Sequence, residues 1–298
     1  MQHSDSLSQV LQYFPEPLRG RLEAVDPMKR HRLREIRLRA GRPIRLYDGV
    51  AEESLAGFGN AAAPLLHDIL RAVCEDSIHS YARELAEGFI TLRGGHRVGF
   101  CGTAVLRGGT VETVKYLSGF NFRLARQICG CADALYHAVF SDGPASLLII
   151  GVPGSGKTTV LRDLCRQLGN RFRVSVSDER GELAAVYHGT PQNDIGLMTD
   201  VLDGYPKGEG LITAIRTLSP QILVCDEISG QADAAALLCA VRSGVSVVAS
   251  AHAASISEVY ARPDLRALFE SEVFSSIALL GTGDKVGSVV CLERSAAI

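Results

Sequence analysis

Eight consecutive residues, Gly151-Val152-Pro153-Gly154-Ser155-Gly156-Lys157-Thr158, match the phosphate-cradling pattern GxxxxGK[ST]. Glycines at these positions let backbone N–H groups turn onto phosphate oxygens. A helix that starts directly after the loop adds the positive end of its dipole. Lys157 is placed to reach the β- and γ-phosphates, and the Thr158 hydroxyl to bind Mg2+. Thr159 follows at the helix start, so the candidate nucleotide-binding set is Gly151 to Thr159, with ATP and Mg2+ as the expected ligands.

A second acidic signal lies 69 positions beyond Lys157 (226 − 157). The apolar run Ile222-Leu223-Val224-Cys225 ends in Asp226-Glu227, a buried strand delivering a carboxylate that orders Mg2+. Glu227 is then within reach of the water that attacks the γ-phosphate, as a general base. The spacing leaves room for an inserted strand, Phe172 to Ser177, which ends in Asp178-Glu179-Arg180-Gly181-Glu182. Strand C-terminal ends line the ligand crevice of an open α/β sheet. Glu179 is therefore read as helping to activate water or to order the metal's outer shell. Glu182 reads equally well as the cap of a following helix. A further strand, Val245 to Ser250, ends in Ser250-Ala251-His252 and sets His252 where it would sense the γ-phosphate. Arg216 precedes the Asp226 strand, and reads either as a subunit-interface or phosphate-sensing arginine or as part of a solvated helix face. Arg93, Arg97, Arg123 and Arg126 are further arginine-finger candidates, among which one sequence does not select.

These side chains require a parallel sheet with helices on both faces. Short apolar strands at 146–150, 172–177, 221–225 and 245–250 alternate with helical segments, and 286–293 offers a last strand. The expected fold is α/β: a RecA-like P-loop ATPase domain over 146–298, preceded by a smaller α+β domain over 1–125 and a helical linker over 126–145. In the first domain Leu7, Val10, Leu11 and Phe14 recur at helical spacing, and 65–87 reads as helices. Glu35-Ile36-Arg37-Leu38-Arg39 alternates as a half-buried strand and pairs with Ile44-Arg45-Leu46. Gly94-Gly95 turns a hairpin between 89–92 and 96–105, and 111–116 and 120–124 add separate strands.

Composition narrows the function classes. The 298 residues carry a net charge of −2, so no overall basic field points to nucleic acid. The basic run from Lys29 to Arg45 lacks the aromatic residues that stack on single strands, and reads as a solvated strand face. Met1 to Ser6 carries no leader pattern, and the apolar runs fall short of the roughly 20 residues that span a bilayer. The expectation is a cytoplasmic protein that meets the membrane only through a protein partner. The eight cysteines form no CxxC pair, which argues against zinc and disulfides. Cys165, Cys225 and Cys239 read as small buried hydrophobes.

Taken together, GVPGSGKTT, SDERGEL, DGYPKGEG with IRTLSPQILVCDEISG, and SAHA resemble the stage III sporulation protein AA family. EIRLRAGRPIRL, GFITLRGGHRVGFCG and FNFRLARQICGCAD carry the resemblance into the N-terminal half, over roughly residues 30 to 290. That family is similar to type II and type IV secretion ATPases. The resemblance implies an acidic box at Asp178, Glu179 and Glu182, a histidine box at His252, a Walker B at Asp226 and Glu227, and, at Arg216, the arginine that precedes the Walker B strand in those ATPases. It also implies a homo-hexameric ring coupling ATP hydrolysis to membrane channel proteins of a sporulation complex between mother cell and forespore. Two rival readings stand beside it: a nucleic-acid-dependent RecA-type ATPase, and a nucleotide-gated assembly factor with little turnover. The chain departs from secretion ATPases in having Ile228-Ser229-Gly230 after Glu227 and no tetracysteine module.

Overall fold

The computed structural model describes residues 6–294. Met1 to Asp5, read above for a leader, and 295–298, the end of the expected second domain, lie outside the described residues. The chain divides into two compact units. One runs to Arg126 and takes in Tyr187–Gln192, whereas the other holds Gln127–Val186 and continues from Asn193.

The first unit is built on a mixed-length antiparallel sheet. Its strands are β1 (Glu35–Arg39), β2 (Arg45–Tyr47), β3 (Glu52–Ser54), β4 (Phe89–Thr91), β5 (Arg97–Arg107) and β6 (Thr110–Arg123), in the order β3-β2-β1-β6-β5-β4. Alternation in β1 buries Ile36 and Leu38 against Phe14, Leu18, Ile69 and Phe122, while Arg37 and Arg39 face outward. Phe14 and Phe122 meet with ring centroids 4.5 Å apart. The two strands expected at 111–116 and 120–124 are one strand, β6. Its Gly119 is no break: a Cβ there would lie 2.5 Å from the Leu38 carbonyl oxygen, so glycine permits the close approach of β1. The basic run meets carboxylates of its own unit: Lys29 pairs with Glu53, Arg32 with Asp48, Arg37 with Glu35, and Arg39 and Arg45 with Glu52.

The second unit carries β7 (Leu147–Gly151), β8 (Val174–Asp178), β9 (Thr199–Asp203), β10 (Ile222–Cys225), β11 (Ser246–His252), β12 (Ser276–Leu280) and β13 (Val289–Arg294). The order is β13-β12-β7-β11-β10-β8-β9, and every pairing is parallel except β12 with β13. The central strands β7, β8 and β10 are buried along their whole length, as two-sided helical cover demands. Two of these strands went unread in the sequence. β9 is an edge strand without a continuous apolar run, and β12 follows directly on an apolar helical pattern.

The segment 126–145 is not a linker. Gly130 takes φ +85°, so the helix starts only at Asp133 and runs to Phe140. Its Leu135 and Phe140 lie in the core of the second unit beneath Leu147 and Leu161, and the buried Asp163 carboxylate accepts the Ala132 N–H at 2.9 Å. Cys165 and Cys225 are buried, as their apolar settings suggest, but Cys239 is exposed on its helix.

Candidate functional site

Register alone lines up the candidate residues. β7 and β11 pair so that Gly151 lies beside His252. Cys225 of β10 pairs with Ala249 of β11 and with Ser177 of β8. One residue further on, Ser250, Asp226 and Asp178 therefore stand in a row along the same C-terminal edge of the sheet, where parallel α/β sheets bind ligands.

The loop after β7 takes the phosphate-cradle form. Gly154 and Gly156 adopt φ of +78° and +91°, a region that L side chains disfavour. Gly156 is also approached by Gly287, whose Cα would lie 3.1 Å from an added Cβ, and the Gly287 N–H bonds the Ser155 carbonyl at 2.9 Å. Pro153 and Gly154 are exposed at the rim, Val152 is half-buried, and the Ser155 hydroxyl is buried without a hydrogen-bond partner. Helix Lys157–Leu168 then starts with a buried lysine, and Thr158 and Thr159 follow half-buried in its first turn. Lys157 Nζ donates to the carbonyls of Gly151 (2.8 Å) and Val152 (3.0 Å) and lies 3.0 Å from His252 Nδ1. Burial pulls the Lys157 ammonium below its usual range, against the opposing pull of Asp226 and Glu227.

Asp226 is held from two sides. The Thr158 hydroxyl donates to its Oδ2 at 2.7 Å, and the Ser250 hydroxyl donates to its Oδ1. The same Ser250 oxygen accepts the Glu227 N–H at 2.9 Å, and the Ser250 carbonyl accepts the Ile228 N–H at 2.7 Å. Glu227 sits at φ +54°, left-handed for a residue with a side chain. Its carboxylate lies 3.0 Å from His252 Nε2 and 2.9 Å from Arg180 Nη1. Because the Lys157 ammonium can only donate, His252 Nδ1 accepts, and the imidazole proton sits on Nε2, facing Glu227. A continuous chain of polar contacts thus runs from Lys157 through His252 to Glu227.

The acidic stretch divides its labour. Asp178 is buried, and its carboxylate accepts three backbone N–H groups, from Glu182 (2.8 Å), Leu183 (3.1 Å) and Ala184 (2.8 Å). It anchors a turn at the wall of the cleft, and no helix follows it. The half-buried Arg162 donates from Nε to the Glu182 carbonyl at 3.2 Å. Glu179 and Glu182 line one cleft together with Lys207, Asp226 and Glu227. Arg216 is not brought to this cleft. It is exposed, nine residues along the helix Lys207–Thr217 from its start at the cleft, or roughly 13 Å at 1.5 Å per residue. The arginines of the first unit have local contacts there: Arg97 lies over the Phe89 ring at 4.9 Å, and Arg126 donates to the Leu33 carbonyl at 3.1 Å.

Three contributors escaped the sequence reading: Ser250, Arg180 and Lys207. Ser250 was legible in principle, since a polar residue in an otherwise apolar strand next to the Asp226 strand needs a partner. Nothing at the sequence level pairs Arg180 or Lys207 with Glu227.

The residues present suit a magnesium-bound triphosphate. Among the described residues no group of three or more His, Cys, Asp or Glu is placed to hold a metal ion by itself. Mg2+ commonly takes one or two protein ligands and completes its shell with phosphates and water. The touching pair Thr158 and Asp226, beside a buried cation and an unpaired buried hydroxyl in a glycine loop, supplies that kind of partial shell.

Comparisons with known proteins agree over almost the whole chain. The family model described as "Sporulation stage III, protein AA" matches residues 4–296. A Bacillus subtilis (strain 168) protein, Stage III sporulation protein AA, is 36% identical over 289 residues, covering 95% of this chain and 94% of that protein. Among solved structures, the Legionella pneumophila ATPase DotB is similar with a TM-score of 0.56 at 17% identity, over 85% of this chain and 74% of its own. The pilus retraction motor PilT with bound ADP is similar with a TM-score of 0.58 at 14% identity, over 83% and 74%. At these identities the structural likeness is one of fold.

Proposed function

The chain belongs to the sporulation stage III protein AA family, and from that premise we propose that it is a Mg2+-dependent ATP hydrolase whose second unit is a RecA-like motor domain. The observation that carries the reading is the convergence of Lys157, Thr158, Asp226, Glu227 and His252 at one edge of one parallel sheet. The loop Gly151–Gly156 and the start of helix Lys157–Leu168 bind the phosphates through backbone N–H groups. Lys157 neutralises the terminal phosphates once it leaves the loop carbonyls. Thr158 and Asp226, directly or through water, would hold Mg2+, which would supply charge neutralisation on the phosphates. Glu227 takes the proton of the attacking water, with Glu179 lining the same cleft. His252 reports the state of the site, because its two ring nitrogens face the phosphate-binding lysine and the general base at once.

The remainder of the reading concerns assembly. The fold likeness to PilT, a pilus retraction motor, supports a motor; the homo-oligomeric ring, with six subunits the expected number, is what the resemblance to secretion ATPases implies. Arg216, exposed and remote from its own cleft, is suited to act on a neighbour's site. No helix among the described residues is long and apolar enough to cross a membrane. The family relationship supports a ring in the cytoplasm that meets a sporulation channel through membrane protein partners. A nucleic-acid partner is disfavoured by the net charge of −2 and by the carboxylates that meet Lys29, Arg32, Arg37, Arg39 and Arg45 within their own unit.

The decisive experiment is steady-state phosphate release by the wild type and by Glu227→Gln, with nucleotide affinity measured in parallel. The expected outcome is Mg2+-dependent release that falls by on the order of a hundredfold or more in the variant, with affinity retained. Equal release by the two proteins removes Glu227 from the mechanism. Tight binding without release by the wild type favours the nucleotide-gated assembly factor instead.

A further inference from the structure

Lys207 opens the helix Lys207–Thr217. Its side chain is only 10% exposed, with its ammonium beneath the C-terminal edge of the sheet. Three groups from three elements surround Nζ. It donates to the backbone carbonyl of Glu227 at 2.6 Å, and lies 3.7 Å from Asp233 Oδ2 and 4.0 Å from Glu179 Oε2. Asp233 is itself buried, and its Oδ2 accepts the Ser229 N–H at 2.9 Å.

These contacts fasten both halves of the short turn that carries the general base. On the near side Ser250 takes the Glu227 N–H, and on the far side Lys207 takes the Glu227 carbonyl. Two residues on, Asp233 holds Ser229, and Lys207 supplies the cation that a buried carboxylate requires. The turn needs such fastening, because Glu227 occupies a left-handed conformation that a side chain resists. Lys157, Thr158 and Asp226 are secured independently, through Gly151, Val152 and Ser250.

We infer that Lys207 is the positioning residue for Glu227: it fixes the strained turn Asp226–Ser229 so that the Glu227 carboxylate faces the cleft, and it does so without taking part in nucleotide binding. This rests on the hydrolase reading for its effect on rate, but its hold on the turn stands apart from that reading. A lysine that only balances buried charge would lower stability and spare the turn, so the two roles give different measurements.

The test uses the full chain carrying Lys207→Met, Lys207→Gln or Lys207→Arg. Each is compared with wild type by single-turnover cleavage of ATP, by affinity for a non-hydrolysable ATP analogue, and by hydrogen exchange of the Glu227 and Ile228 amides. Both of those amides are bonded to Ser250 in the native turn. For Lys207→Met the expected result is a cleavage rate lower by on the order of a hundredfold, the cost of displacing a catalytic group by about 1 Å. Analogue affinity stays within about twofold of wild type at that level of positioning loss, and the two amides exchange faster. Lys207→Arg, which can still donate to the carbonyl, recovers part of the rate and the protection. Should Lys207→Met fail to fold, Lys207→Gln carries the same comparison, keeping a donor but no charge. Unchanged amide exchange overturns the inference, as do parallel losses of rate and affinity. If the wild type itself cleaves no ATP, the hydrolase reading fails, and amide exchange alone still decides whether Lys207 holds the turn.

Discussion

Titration of His96 should make the first unit unusually sensitive to mild acid. His96 is 1% exposed, just past the Gly94-Gly95 turn. Its Nδ1 accepts the Ala125 N–H at 2.9 Å, which leaves Nε2 to donate to Gln9 Oε1 at 2.9 Å. Both nitrogens are satisfied in the neutral form, and burial pushes the imidazole down from 6.5 to about 4. Above about pH 6.5 the folded and unfolded chains both carry neutral His96, so the full stability is present. As pH falls below that value the unfolded chain binds a proton that the folded chain refuses, and stability drops until the folded imidazole also titrates near pH 4. A difference of about 2.5 units (6.5 − 4) at 1.36 kcal/mol each corresponds to about 3 kcal/mol lost across that window. The assay is hydrogen exchange in urea, read on peptides of β1, β5 and β6 between pH 7.5 and 4.5, for wild type and His96→Asn. The asparagine oxygen replaces Nδ1 as acceptor for Ala125, so the variant keeps that bond and lacks only the titration. Its stability should be lower at neutral pH and change little with acid. If wild type and variant lose the same amount over this window, the buried-histidine reasoning is wrong.

Other perturbations separate the parts of the site. Asp178→Asn leaves one oxygen where two now serve three N–H groups, so the second unit should lose roughly 1–3 kcal/mol, read as a lower thermal midpoint. Ser250→Ala unfastens Asp226 and the Glu227 amide together, and should lower kcat by at least tenfold with a smaller change in nucleotide affinity, measured in the same turnover and binding assays. Arg216→Ala removes an exposed side chain, so monomer stability should stay within about 0.5 kcal/mol. Its turnover should fall only at protein concentrations where light scattering detects a larger species, and a loss in dilute monomer would place Arg216 in its own site.

Most of the candidate site was legible because parallel sheets carry their ligand-facing residues at strand ends. Once β7, β10 and β11 are recognised as buried apolar runs, the residues after them must lie together, and Gly151, Asp226 and His252 do. What the one-dimensional pattern hides is the use of a residue rather than its place. Asp178, Glu179 and Glu182 read as one acidic box, yet Asp178 is consumed by backbone N–H groups that only the folded turn presents. Arg180 and Lys207 drew no reading from the sequence, yet both end on Glu227, one on its carboxylate and the other on its carbonyl. In the first unit Ser118-Gly119 reads as a break, since glycine weakens a strand in general. Here the neighbouring carbonyl of Leu38 leaves no room for anything larger. Arg216, read either as an interface or phosphate-sensing arginine or as part of a solvated helix face, is exposed; helical periodicity fixes a face and says nothing about which end of the helix meets the ligand.

The route of the chain has a practical bearing on how this protein can be dissected. It passes between its two units three times, after Arg126, after Val186 and after Gln192. A fragment ending at Arg126 would therefore forfeit Gln192, whose Oε1 accepts the Gly94 N–H at 2.7 Å, and Tyr187, which bonds Glu75 through its hydroxyl and stacks on His188. The complementary fragment would carry those same residues without their partners. Deletion series, split reporters and domain grafts that cut at the obvious boundary will each leave a raw seam at residues 187–192.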